Sequence, residues 1–182
     1  MFIQTEQTPN PASLKFLPGI TVMPSGTANF TSKETTSRSP LAERLFGLPE
    51  VSGVFLGGDF ITVTKTEGSD WFQMKPAVLT AIMEHFTTGR PIVTDAADDS
   101  AAREEEDNEV VSAIKELLQT RVRPAVAQDG GDIIFEKFVD GVVYLHMQGS
   151  CSGCPSSTAT LKSGIENMLR HYVPEVREVR AV

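Results

Sequence analysis

Cys151 and Cys154, spaced by Ser152 and Gly153 and followed by Pro155, are the only two cysteines of the 182-residue chain. Thiolates at this spacing are soft ligands for zinc or for an iron–sulfur cluster. Both kinds of closed site ask for about four protein ligands. One chain supplies two, so two chains together complete a set of four. The ligand count therefore points to a metal centre shared across a dimer and carried near its surface.

The neighbouring residues suit bound anionic sulfur. Residues 141–147 read as a strand with Val143, Leu145 and Met147 on one face. Downstream, Leu161, Ile165, Met168, Leu169 and Tyr172 recur at helical spacing until Pro174 closes the run. The motif thus falls on a strand-to-helix turn. Pro155 fits the first helical position, where a missing N–H costs nothing. Gly149 and Gly153 let backbone amides turn toward the sulfurs, and a helix N-terminus adds positive partial charge that favours thiolate.

Other chemistries fit the same pair. A thioredoxin-like dithiol also lies between a strand and a helix, but only 28 residues follow Cys154 (155 to 182), too few for most of such a sheet. Zinc bridging two chains satisfies the same four thiolates and stays open. Inert core thiols or a structural disulfide fit poorly with the Gly and Pro frame. His146 precedes Cys151 by five positions, yet strand alternation places it with Val142 and Tyr144, as a surface or partly packed histidine. Asp129-Gly130-Gly131-Asp132 lacks the Lys-Ser/Thr ending of a phosphate loop and the carboxylate spacing of a calcium loop. It reads as a structural turn that can lie beside the cysteines. Lys162, Ser156 and Ser157 stand close enough in sequence to hydrogen-bond around the sulfurs, or simply to solvate and cap the helix. His85 and His171 fall in the last turns of helices, where positive charge suits the dipole. No nucleophile and base pattern for hydrolysis accompanies the aspartates, so the chain is expected not to be an enzyme.

Composition narrows the class further. A net charge of −8 opposes nucleic acid as a partner, since phosphate binding needs concentrated Lys and Arg. No stretch approaches the ~20 apolar residues of a membrane span. The N-terminus has no Arg before Arg38, carries Glu6 early, and lacks a basic-then-apolar leader. These features lead to the expectation of a reducing cytoplasm, where thiols stay available for metal.

Between Asp95 and Asp107 come seven acids, four alanines, one arginine and no large apolar residue. Such a composition reads as a solvated linker. The expected fold is α+β: two small α/β-layer domains, residues 1–89 and 108–182, joined by a flexible acidic linker at 90–107. The second domain reads αββαβ, with a helix at 108–122 stopped by Pro124, strands at 133–139 and 142–148, a helix at 155–172 and a strand at 175–181. Asp140-Gly141 is a tight hairpin turn. In the first domain, strands are expected at 2–7, 13–17, 51–56 and 60–65. A polar stretch runs from Pro24 to Pro40, and helices are expected at 41–48 and 75–87. Trp71 and Phe72 read as anchors at the entrance of the second helix.

The segments Arg123-Pro124-Ala125-Val126-Ala127-Gln128-Asp129-Gly130-Gly131-Asp132-Ile133 and Gln148-Gly149-Ser150-Cys151-Ser152-Gly153-Cys154-Pro155 closely resemble the NifU-type C-terminal domain of iron–sulfur cluster carriers. The opening Thr8-Pro9-Asn10-Pro11-Ala12-Ser13-Leu14-Lys15-Phe16 resembles the N-terminal domain that precedes it in Nfu-type proteins. The resemblance implies a scaffold or carrier that is not an enzyme. It implies a [4Fe–4S] cluster held by Cys151 and Cys154 of two chains, a homodimer on cluster loading, and exchange with upstream assembly machinery and apo client proteins.

Overall fold

The computed structural model describes residues 2–94, 108–151 and 155–182. The acidic segment expected as a linker lies outside them from residue 95 onward, and so does Cys154. The chain forms two α+β domains, each a sheet with helices on one face.

In the first domain, β1 (Gln4–Gln7), β2 (Ser13–Leu17), β3 (Ala28–Phe30), β4 (Val51–Leu56) and β5 (Ile61–Lys65) form an antiparallel sheet in the order β1-β2-β5-β4-β3. Strand alternation sends Leu14, Phe16, Val54, Leu56, Ile61 and Val63 to one face. There they bury against Leu41 and Leu45 of α1 (Pro40–Phe46) and Met74, Val78 and Ile82 of α2 (Trp71–Thr88). Ser39 caps α1 by accepting from Ala42 N, with Pro40 at the first helical turn.

Two elements depart from the sequence expectation. The polar stretch before Pro40 contains β3 and a 3-10 turn, Lys33–Arg38. Only Ala28 and Phe30 of β3 reach the core, too few for a visible period. The second helix starts four residues before the expected Lys75, because the Asp70 carboxylate accepts from Phe72 N at 2.9 Å and caps it. Pro76 is tolerated within it, removing the single donor that would reach the Phe72 carbonyl. Beyond α2, Ser39 Oγ donates to Ile92 O at 2.6 Å and Thr94 N to Arg38 O at 2.7 Å. Residues through Thr94 therefore lie along the first domain.

The second domain opens with α3 (Glu109–Leu117), capped by Asn108, whose Oδ1 accepts from Val111 N. Pro124 does not end this helix. A wide π turn, Leu118–Val122, leads directly into α4 (Arg123–Gln128), with Pro124 in its first turn. The wider turn absorbs the ring and the missing N–H where a regular turn would clash. The hairpin β6 (Gly131–Val139) and β7 (Val142–Gly149) turns at Asp140 and Gly141, with φ of 51° and 79°. This is the left-handed pair that a two-residue hairpin needs. α5 (Pro155–Tyr172) then crosses to β8 (Glu178–Ala181), which pairs parallel to β7. Ile114, Leu118, Val126, Ile133, Val143, Leu145, Ile165, Leu169 and Val179 fill the core between helices and sheet. Tyr172, expected on the buried stripe of α5, is half-exposed with Arg121 5.0 Å over its ring, and Val173 takes the core position instead.

Candidate metal centre

The cysteine turn joins the end of β7 to the start of α5. Gly149 ends the strand with φ 67°, a value that favours glycine, and Cys151 follows in the turn. Thr158 Oγ1, one turn into α5, donates to the Cys151 carbonyl at 3.0 Å and ties the helix to the cysteine. Cys151 is 7% exposed and sits at the edge of the second core.

Its sulfur lies against the backbone of Gly131. A Cβ on that residue would stand 2.7 Å from Cys151 Sγ and 2.8 Å from Gln148 O, so only glycine fits. The segment from Asp129 to Asp132 is therefore part of the cysteine's wall. Ser150 Oγ donates to Asp129 O, and Ser150 N to Gly130 O at 3.2 Å, which fastens the two loops together next to the thiol.

Asp132 anchors this wall from behind. It is buried, and Arg123 clamps its carboxylate with Nε–Oδ1 and Nη2–Oδ2 distances of 2.8 Å each. Its own neighbour Ile133 N donates to Oδ1 at 2.8 Å. The two-pronged geometry offsets the cost of burying the charge.

The first domain docks on the same wall. Thr62 Oγ1 donates to Gly130 O at 2.7 Å, Lys15 Nζ to Gln128 O at 3.2 Å and Thr27 Oγ1 to Asp132 Oδ2 at 3.0 Å. The ring of Phe55 lies against Gly149, 3.1 Å from where a Cβ would stand. Thr62, Lys15 and Phe55 all sit on the sheet face opposite α1 and α2, and all are buried. Sequence reasoning missed this contact. A signal was present: Val54-Phe55-Leu56 is apolar on both strand faces, the pattern of a strand covered on both sides.

The remaining candidates fall elsewhere. Cys154 is outside the described residues. His146 is exposed on β7, with Nδ1 3.1 Å from Val182 O. His85 lies in the last turn of α2, as expected, but is fully buried there. Burial pushes its pKa below the ordinary value, and the charge on Arg44 acts the same way. Trp71 packs on the first core 6.3 Å from the Phe16 ring, whereas Phe72 is 87% exposed.

A thiol-bearing turn between strand and helix, on an αββαβ domain preceded by a second α+β domain, describes a class of small two-domain proteins. The family "Scaffold protein Nfu/NifU N terminal" matches residues 3–89, and the family "NifU-like domain" matches residues 114–180. The chain belongs to the Nfu/NifU scaffold protein family. It is 53% identical over 183 residues to human "NFU1 iron-sulfur cluster scaffold homolog, mitochondrial", spanning all of this chain and 72% of the relative. The protein of the same name from Drosophila sechellia is 53% identical over 184 residues, and this chain spans 65% of its length. A solution NMR structure of the NifU-like protein from Saccharomyces cerevisiae covers 52% of this chain and 86% of its own, at 24% identity and a TM-score of 0.47.

These relatives correct the expectation of a cytoplasmic chain. Both are named as mitochondrial and match over the full chain, which points to mitochondria. The cytoplasmic reading rested on the residues before Arg38, and those carry no information on compartment.

Proposed function

We propose that this protein is an iron–sulfur cluster scaffold and carrier working in mitochondria, not an enzyme. Its cargo is a [4Fe–4S] cluster bound by Cys151 and Cys154 of each of two chains. The observation that carries this reading is a cysteine held at the β7–α5 turn of a chain with only two cysteines, in a family whose relatives are named as cluster scaffolds. The donor set suits such cargo. Thiolates are the usual ligands of a cubane, and the first turn of a helix such as α5 brings N–H groups without intrahelical partners and positive partial charge, which suit an anion.

Residues 108–182 form the cluster-binding module, 95–107 the acidic tether, and 1–94, whose last residues bond back to Arg38 and Ser39, a module for client choice and handover. The upstream assembly machinery supplies the cargo and apo iron–sulfur proteins receive it. In handover a client thiolate replaces a carrier thiolate on iron, one for one, and the released thiolate takes up a proton. Two ligands per chain make this exchange possible without unfolding either domain.

Anaerobic reconstitution with iron and sulfide tests the reading. The wild-type protein is expected to take up about one cluster per two chains and to shift from monomer to dimer as it loads. Cys151→Ser and Cys154→Ser are each expected to abolish stable assembly. A loaded monomer with a full cluster per chain, or iron and sulfide retained by the double variant, refutes the shared site. Tight binding of zinc with no uptake of sulfide refutes the cluster cargo.

A further inference from the structure

We infer that the outer face of the N-terminal sheet is a latch for the cysteine turn of its own chain, and that the two domains part when the turn takes up its cargo. The face is defined by Lys15 on β2, Phe55 on β4 and Thr62 on β5, alternate to the core residues Leu14, Phe16, Val54, Leu56, Ile61 and Val63. An open sheet face is ordinarily solvated. Here Thr62 is 0% and Lys15 7% exposed, with the backbone of Gln128 and Gly130 lying on them and Gly149 lying on Phe55. A lysine ammonium is seldom buried without compensation. Lys15 has three sources of it: Gln128 O at 3.2 Å, Glu6 at 3.6 Å and the Phe60 ring at 4.8 Å.

The latch acts on Cys151 through backbone. Thr62 and Lys15 hold the carbonyls of Gly130 and Gln128. Those residues flank Asp129, whose carbonyl accepts from Ser150, the residue before the thiol. In this arrangement Cys151 Sγ faces Gly131 and the sulfur is inside the protein. A sulfur so placed cannot meet a second chain's thiolates around one cluster. The turn has to move, and the domain junction opposes that movement. Cargo uptake and domain opening are then linked equilibria, each favouring the other. The linkage to cargo rests on the proposed function; the latch itself does not.

Two readouts separate these halves. In a Cys154→Ser background, Cys151 is the sole thiol, and its alkylation by iodoacetamide reports how often the turn opens. Thr62→Arg places a charged side chain under the docked turn while leaving the N-terminal core face intact. It is expected to raise the alkylation rate on the order of tenfold, equivalent to about 1.4 kcal/mol of lost closure. Lys15→Met keeps the apolar stem, removes the donor and is expected to act in the same direction with a smaller change. Unchanged alkylation in both variants, with far-UV circular dichroism like that of the parent, overturns the latch. With Cys154 restored, Thr62→Arg is expected to load iron and sulfide faster than wild type. Loading that is equal or slower, while alkylation is accelerated, overturns the link to cargo. If neither protein loads, the carrier reading fails and alkylation still decides the latch.

Discussion

Gly131→Ala probes the wall of the candidate centre with a single methyl group. The new carbon would lie 2.7 Å from Cys151 Sγ, 2.8 Å from Gln148 O and 3.2 Å from Cys151 N. Comfortable separations between non-bonded heavy atoms are about 3.5–4.0 Å, so the sulfur has to retreat by roughly 1 Å. The Gln148 oxygen cannot give independently, since Gln148 and Gly149 pair with Asp132 and Gly131 in the β6–β7 ladder. Overpacking a tight site costs about 1–3 kcal/mol; two backbone atoms among the three contacts put this case near about 2–3 kcal/mol. Urea unfolding is expected to show a lower midpoint at unchanged slope, and reconstituted protein is expected to retain less iron. Gly164→Ala is the control, because that position on α5 has open space around it. It is expected to be neutral or stabilising by up to about 1 kcal/mol. A Gly131→Ala protein that unfolds with wild type and keeps its iron would show that Cys151 does not lodge against Gly131.

Asp132→Ala takes the carboxylate acceptor from Arg123 Nε and Nη2, Ile133 N and the Thr27 hydroxyl, while Arg123 Nη1 keeps Gln119 Oε1 at 2.7 Å. Losing one partner of a buried pair costs about 3–5 kcal/mol; with the Arg123 side chain 23% exposed, the lower end is expected in thermal unfolding, and a loss below about 1 kcal/mol would mean the pair behaves as a surface one. His85 is held below its ordinary pKa by burial and then by Arg44. The unfolded chain protonates this histidine near about pH 6.5 while the folded one stays neutral, so stability falls as pH drops below that value until the lowered folded pKa is reached. His85→Phe is expected to flatten this acid limb, and an unaltered limb in denaturant titrations across pH 5 to 7.5, roughly the histidine range, contradicts the assignment. Asn108→Ala removes the acceptor for Val111 N and is expected to lower stability by about 1 kcal/mol; no loss would mean the cap contributes nothing to α3.

The second domain was largely legible because its signals are local. Pro155 and the spacing of Leu161, Ile165 and Leu169 set α5, and Asp140-Gly141 set the hairpin. The strand-to-helix turn that carries Cys151 was expected from the same spacing. What stayed hidden depends on distant partners. Pro124 reads as a helix stop unless the preceding turn widens to admit it, and that widening is fixed by packing of Leu118 and Val122 into the core. β3 has three residues, too short for a period. Asp132 reads as a turn aspartate until folding brings Arg123 and Thr27 onto it. Thr62 has nothing in its own neighbourhood to mark it, since its bond reaches Gly130, 68 residues away.

The wide turn at Leu118–Val122 sets the phase of everything after it. Ile114, Leu118, Val122 and Val126 are buried at steps of four. In an unbroken α-helix each step of four overshoots a full turn by about 40°, and three steps would carry Val126 about 120° away from the side that buries Ile114. A π turn holds more residues per turn, so the overshoot is wound back. The same rotation aims Arg123 at Asp132. A one-residue deletion within this turn would leave the helix intact yet swing Arg123 and Val126 off their targets. Chain length at this point, more than the identity of any single side chain, is what keeps the wall beside Cys151 in register.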